Sequence, residues 1–358
     1  MAERIAVAMS GGVDSSAAAW LLKEQGHDLV GVTLTLFDDT TANVPGNQQD
    51  VDDARAVAAQ LGFPHHVFHM AQCFRSQVID RFVSAYEAST TPNPCVVCNR
   101  HIKFGALLDQ ALTLDAQALA TGHYAQIGWD EGSQRWLLRK ALHPEKDQSY
   151  VLYSLSQDQL STSRFPLGHL SKAEIRDIAE TQGLVSARKR ESQDICFIPD
   201  GDYAAFIRRH TGKNYPSGPF VDQEGKVLGS HSGIIGYTVG QRRGLGVSSN
   251  QGRLYVKEVR PQDNTVVLCD NQALFSRTLT ANDLNLIALP RLDAPLHLKA
   301  KVRYRQQEQP CVVEQTGEDT IRVTFTEPQR AITPGQAVVL YDGDVVVGGA
   351  TILEGKDF

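Results

Sequence analysis

The stretch Ser10-Gly11-Gly12-Val13-Asp14-Ser15-Ser16 decides how the N-terminal half of the chain is read. It follows an apolar run at 5–9 and precedes a helix-like run at 17–25, so a strand, a turn of small residues and a helix start follow one another. Such a turn makes an anion site. Glycine lets the backbone come close to a phosphate, and the unbonded N–H groups of the helix start face it. Ser10, Ser15 and Ser16 add hydroxyl donors. The order does not fit a Walker A loop, which ends in Gly-Lys-Ser/Thr, nor the dinucleotide pattern GxGxxG. Two glycines alone would be read as an ordinary turn; the whole string in this setting favours a phosphate.

Working outward, strand and helix alternate. Residues 29–37 and 67–70 predict two more strands, and residues 38–49, with Pro45 and Gly46, a mobile polar loop. Val51, Ala54, Ala58 and Leu61 stand at helical spacing and Gly62 stops that helix. A second helix is expected over 74–88, a buried strand over 116–121 before Gly122-His123-Tyr124, and a hairpin over 125–141. Ser171 with Glu174 forms a capping box, and Gly183 ends its helix. This rhythm implies an α/β parallel sheet of Rossmann-like type over residues 1–200, with ligands at the carboxyl ends of its strands.

After about Pro199 the texture changes to short apolar runs broken by Gly, Pro and Asn. We expect a small β-rich central domain over 201–278 and an antiparallel β-barrel over 279–358. In 296–305 the even positions Leu296, Leu298, Ala300, Val302 and Tyr304 would face a core. The odd positions His297, Lys299, Lys301, Arg303 and Arg305 would form one exposed basic row, either plain solvated charge or a surface for RNA.

The 358 residues, 42% hydrophobic and 21% charged, suit two or three folded domains. The net charge of −6 argues against nucleic acid, but residues 186–260 hold 12 Lys/Arg against 7 Asp/Glu, so the chain is acidic with a basic middle. No apolar run approaches the ~20 residues that span a bilayer, and the first ten residues lack the features of a signal peptide. A cytoplasmic protein with no membrane partner is expected.

Six cysteines in a chain this long do not make a disulfide scaffold. Cys95 and Cys98 stand in Thr91-Pro92-Asn93-Pro94-Cys95-Val96-Val97-Cys98-Asn99-Arg100, and Cys196 in Ser192-Gln193-Asp194-Ile195-Cys196. The prolines delay a helix until about Cys95, and a thiol near a helix start, with Arg100 and Lys103 close by, is expected to favour thiolate. A zinc site lacks its fourth ligand, and a thioredoxin-type pair belongs just after an early strand in a different fold. Thiol attack on a carbon activated by ATP is the third reading, and it fits best. Cys73, Cys269 and Cys311 read as buried small hydrophobes.

The string SGGVDSS resembles the loop of ATP-pyrophosphatases. Together with TPNPCVVCNRHIKF, ATGHYA, KDQSYVLY, ESQDICFIP and GYTVGQRRGLGV, in that order, it resembles the tRNA-specific 2-thiouridylase family across almost the whole chain. The resemblance implies transfer of sulfur from a persulfide to carbon 2 of the wobble uridine of tRNAs for Lys, Glu and Gln, with ATP as the activating substrate. It implies that Ala8, Met9, Ser10, Gly11, Gly12, Val13, Asp14 and Ser15 hold ATP, that Leu34 and Gly122 line the adenosine pocket, and that Mg2+ accompanies the phosphates. Cys196 matches the persulfide carrier, loaded by a sulfur-relay or cysteine desulfurase protein, and Cys98 the second catalytic cysteine, able to pair with Cys196. Asn93, Pro94 and Cys95 match the segment that meets the target base. His123, Lys146, Asp147, Gln148, Arg303, Tyr304 and Gln336 match further tRNA-binding positions.

One position departs from the pattern: many members carry Asp where this chain has Cys95. With it, Cys95, Cys98 and Cys196 form a candidate ligand set for a [4Fe-4S] cluster, an alternative route for the same sulfur. Two rival functions are a small-molecule synthetase using the same ATP loop and a non-catalytic RNA-binding module. The first leaves the cysteines and the barrel unexplained, and complete motifs throughout the chain speak against the second.

Overall fold

The structure is a computed structural model in which residues 2–37, 47–189, 195–247 and 252–356 are described. Strand β1 (Arg4–Ala8) opens the fold, and its Ile5, Ala6 and Val7 are fully buried, as a central parallel strand covered on both faces requires. The chain turns through the glycine loop into helix Val13–Glu24, four residues earlier than the periodicity predicts. Gly12 is still extended (φ −95°, ψ 167°), so the helix can begin directly after it.

Strand β2 (Asp28–Thr35) lies beside β1 in parallel, with Val7 opposite Gly31. The expected loop over 38–49 lies outside the described residues as far as 46. Its last two residues belong to helix Gln48–Leu61, whose first turn is capped by the Asn47 side chain accepting from the Asp50 N–H at 2.9 Å. Gly62 ends that helix in the left-handed conformation, as expected. Strand β3 (His65–His69) then pairs with β2.

Two long helical runs follow, Ala71 to Glu87 and Pro94 to Leu112. Each contains a π-type stretch, Arg75–Ile79 in the first and Asn99–Leu107 in the second, which the sequence pattern does not reveal. Strand β4 (Ala118–Ala120) lies on the other side of β1. The hairpin β5 (Ala125–Asp130) and β6 (Arg135–Lys140) forms as predicted. Strand β7 (Ser163–Arg164) completes the parallel sheet, in the order β3-β2-β1-β4-β7. Helix Lys172–Thr181 starts at the predicted capping box of Ser171 and Glu174.

The middle of the chain folds into β8 (Gly218–Val221), β9 (Val227–His231), β10 (Tyr255–Arg260) and β11 (Thr265–Cys269), in the order β10-β11-β8-β9. The last part contains β12 (Phe275–Leu286), β13 (Leu296–Lys301), β14 (Gln309–Gln315), β15 (Ile321–Arg330), β16 (Ala337–Asp342) and β17 (Val345–Lys356). Antiparallel pairing runs β12-β15-β14-β13-β16-β17 and returns from β17 to β12, so the barrel is closed. Leu279, Ala300, Val313, Val323, Val338 and Ile352 fill it.

The basic row expected over 296–305 is cut short. Strand β13 stops at Lys301, and a turn follows in which the Gln306 side chain accepts from the Val302 N–H at 3.0 Å. The alternation fails beyond that point: Tyr304, expected inside, is 41% exposed, whereas Arg303, expected outside, is half-buried.

Barrel and catalytic sheet are not separate bodies. Val345 of β17 pairs with Arg139 of β6, which joins the hairpin to the barrel sheet. The Arg135 guanidinium donates to the Ile287 carbonyl at 2.7 Å, and Leu138, Tyr150, Tyr153, Ile287, Val339 and Tyr341 share one apolar cluster.

Candidate active site

The phosphate loop leaves the carboxyl end of β1. Gly11 has φ +68°, and a Cβ there would lie 2.5 Å from the Asp50 carbonyl oxygen, so only glycine fits. Ser15 and Ser16 are turned inward, their hydroxyls donating to the Gly12 carbonyl at 3.1 and 2.9 Å. The Ser10 N–H donates to the Ser15 oxygen at 3.2 Å, and the Ser10 residue itself is exposed. At the base of the turn Ala8 is half-buried and Met9 buried, and the Met9 carbonyl accepts from the Thr33 hydroxyl at 2.7 Å. Val13 is buried in the sheet's core.

Asp14 is held by two groups the sequence reading did not single out. The Tyr124 hydroxyl donates to its Oδ1 at 2.7 Å and the Lys172 Nζ does so at 2.6 Å. Separations of 110 and 158 residues leave no spacing signal for either partner. Lys189 is a third such residue; its ammonium bonds Asp50 at 2.6 Å and Asp53 at 2.7 Å on the helix beside the loop. Gly122, at the end of β4, abuts the loop so closely that a Cβ would stand 3.0 Å from the Ser15 nitrogen.

The cysteines gather near the same edge. Asn93 caps the first turn of helix Pro94–Cys98, its side-chain oxygen accepting from the Cys95 N–H at 3.2 Å and the Val96 N–H at 3.4 Å. Cys98 and Cys196 are half-buried and pack, with Leu34 and Leu36 from the end of β2, against a cluster that includes Phe74, Phe82 and Phe197. Cys95 is exposed. Cys269 and Cys311 are buried, as expected, and Cys73 is only partly so.

The expected thiolates are not what this environment favours. Burial pushes the Cys98 thiol up to about 11 and the Cys196 thiol up to about 12. The neighbouring cysteines add to the rise at both, while the Lys103 ammonium opposes it. Arg100, expected to help, turns away to pair with Asp283 of the barrel at 2.8 Å. Among the described residues no group of three His, Cys, Asp or Glu side chains is arranged to hold a single metal ion.

Several positions matched to tRNA binding serve as seams between domains. The Gln336 amide donates to the Thr91 carbonyl at 2.9 Å and the Pro92 carbonyl at 3.2 Å, which fixes the loop before Asn93 and the buried Pro94. Arg303 donates to the Ala331 carbonyl at 2.9 Å and the Val239 carbonyl at 3.3 Å. The exposed Tyr304 donates to the Asp147 carbonyl at 3.2 Å. Gln148 accepts from the Tyr124 N–H at 3.0 Å, Asp147 accepts from the Ser149 hydroxyl at 2.8 Å, and Lys146 lies half-buried in the same turn. His123 is buried, bonded through Nδ1 to the Thr121 hydroxyl at 2.7 Å, and burial with Lys103 nearby keeps it neutral.

A parallel α/β domain with a small-residue loop, joined to two β modules, defines a HUP-type protein with barrel appendages. The family models agree: one described as a tRNA methyl transferase HUP domain matches residues 3–200, a PRC-barrel domain 204–270, and an aminomethyltransferase β-barrel domain 276–352. The tRNA-specific 2-thiouridylase MnmA of Clostridioides difficile is 45% identical over 98% of both chains. MnmA 1 of Caldanaerobacter subterraneus is 46% identical over 98% of this chain and 97% of its own. The chain belongs to the tRNA-specific 2-thiouridylase family. Among solved structures, the U34-tRNA thiolase NcsA of Methanococcus maripaludis with its [4Fe-4S] cluster aligns over 58% of this chain and 66% of its own at TM-score 0.36 and 18% identity, which is too slight to bear on function.

Proposed function

We propose that this enzyme makes 2-thiouridine at the wobble position of tRNA with ATP and a persulfide on Cys196. The observation that carries the reading is a shared edge: the phosphate loop of β1 and the cysteine cluster at the end of β2 open on the same side of one sheet.

A uridine carbonyl is a poor electrophile with a poor leaving oxygen. Its C2 oxygen attacks the α-phosphorus of ATP as the N3 proton departs, and pyrophosphate leaves from the loop at Ser10–Ser15. The terminal sulfur of the Cys196 persulfide then attacks C2, and AMP carries the oxygen away. Cys98 gives its proton to solvent and attacks the Cys196 sulfur. The thiouridine leaves and regains its N3 proton, and a Cys98–Cys196 disulfide remains for an external reductant to open. The raised thiols fit a resting state that stays protonated until it is loaded. Asp14 is the loop carboxylate able to meet a Mg2+ ion carried by the phosphates, and such an ion would offset their charge.

Gln336 braces the base-binding segment 93–95 through Thr91 and Pro92, Tyr304 braces the turn of Lys146 to Gln148, and Arg303 ties the barrel to the middle of the chain. A desulfurase or sulfur-relay protein supplies the persulfide.

The test is mass spectrometry of tRNA nucleosides after reaction with sulfur-loaded enzyme and ATP. Cys98→Ser and Cys196→Ser are expected to lose at least a hundredfold in 2-thiouridine. Equal thiolation by both variants and the wild type would overturn the reading.

A further inference from the structure

The proposed cycle leaves a disulfide between two half-buried cysteines and gives the Cys95 thiol no chemical step. Cys98 and Cys196 both lie against the phenylalanine-rich cluster, where a dithiol reductant has poor access. Cys95 is the exposed thiol of the three. It also stands three residues before Cys98 on one helical turn, Pro94–Cys98, whose start is fixed by the Asn93 cap and by Pro94 at its first position. A rise of 1.5 Å and a turn of 100° per residue set two such Cα atoms about 5 Å apart. A disulfide spans Cα separations of roughly 4.4–6.8 Å, so the pair can close without moving the helix.

We propose that Cys95 is the resolving cysteine of the cycle, taking the disulfide from the half-buried pair and presenting it at the surface. The proposal rests on the persulfide reading. The Cys95 thiol gives its proton to solvent and attacks the Cys98 sulfur. The Cys95–Cys98 bond forms, the Cys98–Cys196 bond breaks, and Cys196 leaves as a thiolate that takes up a proton. No net oxidation occurs. Cys196 is free to receive the next sulfur while a dithiol reductant reduces the exposed Cys95–Cys98 pair. The positive charge of Lys103 favours the thiolate at each of the three sulfurs as it forms.

The test is one turnover without reductant. Enzyme loaded with sulfur at Cys196 reacts with ATP and tRNA, is quenched with N-ethylmaleimide, and is mapped by peptide mass spectrometry. The wild type is expected to carry a Cys95–Cys98 disulfide with Cys196 alkylated, and Cys95→Ser a Cys98–Cys196 disulfide. With a dithiol reductant present, the ratio of steady-state rate to first-turnover rate is expected to fall at least tenfold in Cys95→Ser. A Cys98–Cys196 disulfide in the wild type, with that ratio unchanged in the variant, overturns the proposal and leaves the persulfide reading standing. Thiolation with no disulfide in either protein overturns the persulfide reading and the proposal together.

Discussion

Gly11 shows how much one missing side chain can decide. Its φ of +68° and the 2.5 Å approach of the Asp50 carbonyl mean that a methyl group must push the loop off the neighbouring helix. Gly11→Ala is therefore expected to weaken ATP binding at least tenfold by calorimetry. Gly62 makes the contrast: its φ is +76°, but a Cβ there meets nothing within 4 Å. Gly62→Ala should cost about 1 kcal/mol of stability and leave ATP affinity as it is. Equal ATP affinities in the two variants would refute this account of the loop. At this scale the loop was legible because its residues are contiguous, and Tyr124, Lys172 and Lys189 were not because they arrive from distant parts of the chain. The thiol ionisation was misjudged for a related reason. Local sequence shows a helix start and two cations, but not the phenylalanines that bury the cysteines or the barrel aspartate that draws Arg100 away.

Among the elements, the β2–β3 pair carries a pH dependence. Thr33 donates to the Met9 carbonyl, so its oxygen accepts from His65 Nε2 at 2.8 Å. The other ring nitrogen, Nδ1, is buried without a partner. Burial, with Arg55 and His66 adding to it, holds His65 at about 4, below the ~6.5 of an unfolded histidine. Between those values the unfolded chain binds a proton that the native chain does not, so stability is lost as pH falls from about 6.5 to 4. Thermal melts across that window should show the loss, and His65→Gln should reduce it. An unchanged slope in the variant would exclude His65 as the cause. The rhythm of strands and helices here was readable from hydrophobic period. The π-type stretch Asn99–Leu107, which sets where Lys103 stands relative to Cys98, has no period of its own to read.

For the molecule as a whole, two kinds of contact hold the catalytic domain to the barrel, and they should differ in worth. The Tyr150 hydroxyl donates to the Ala337 carbonyl at 2.8 Å inside the shared core. Tyr150→Phe leaves that acceptor buried and unpaired, at a cost of about 1–3 kcal/mol. The Arg100–Asp283 pair spans the same two domains in the open, and Asp283→Asn should cost no more than about 1 kcal/mol. Denaturant titrations that ranked the two the other way would show that the domains are joined mainly by surface charge. The closed barrel was foreseeable from its run of short strands, whereas the early end of β13 was not, because it depends on a Gln306 side chain reaching back to Val302.

The pairing of β17 with the β5–β6 hairpin also bears on how the protein comes into being. The aspartate that anchors Arg139 lies 205 residues further along the chain. A ribosome must therefore add some 205 residues after Arg139 before the hairpin can find its permanent neighbour, and the same strand then closes the barrel against β12. During synthesis the nascent catalytic domain waits with an open sheet edge, and a single late event completes two domains at once.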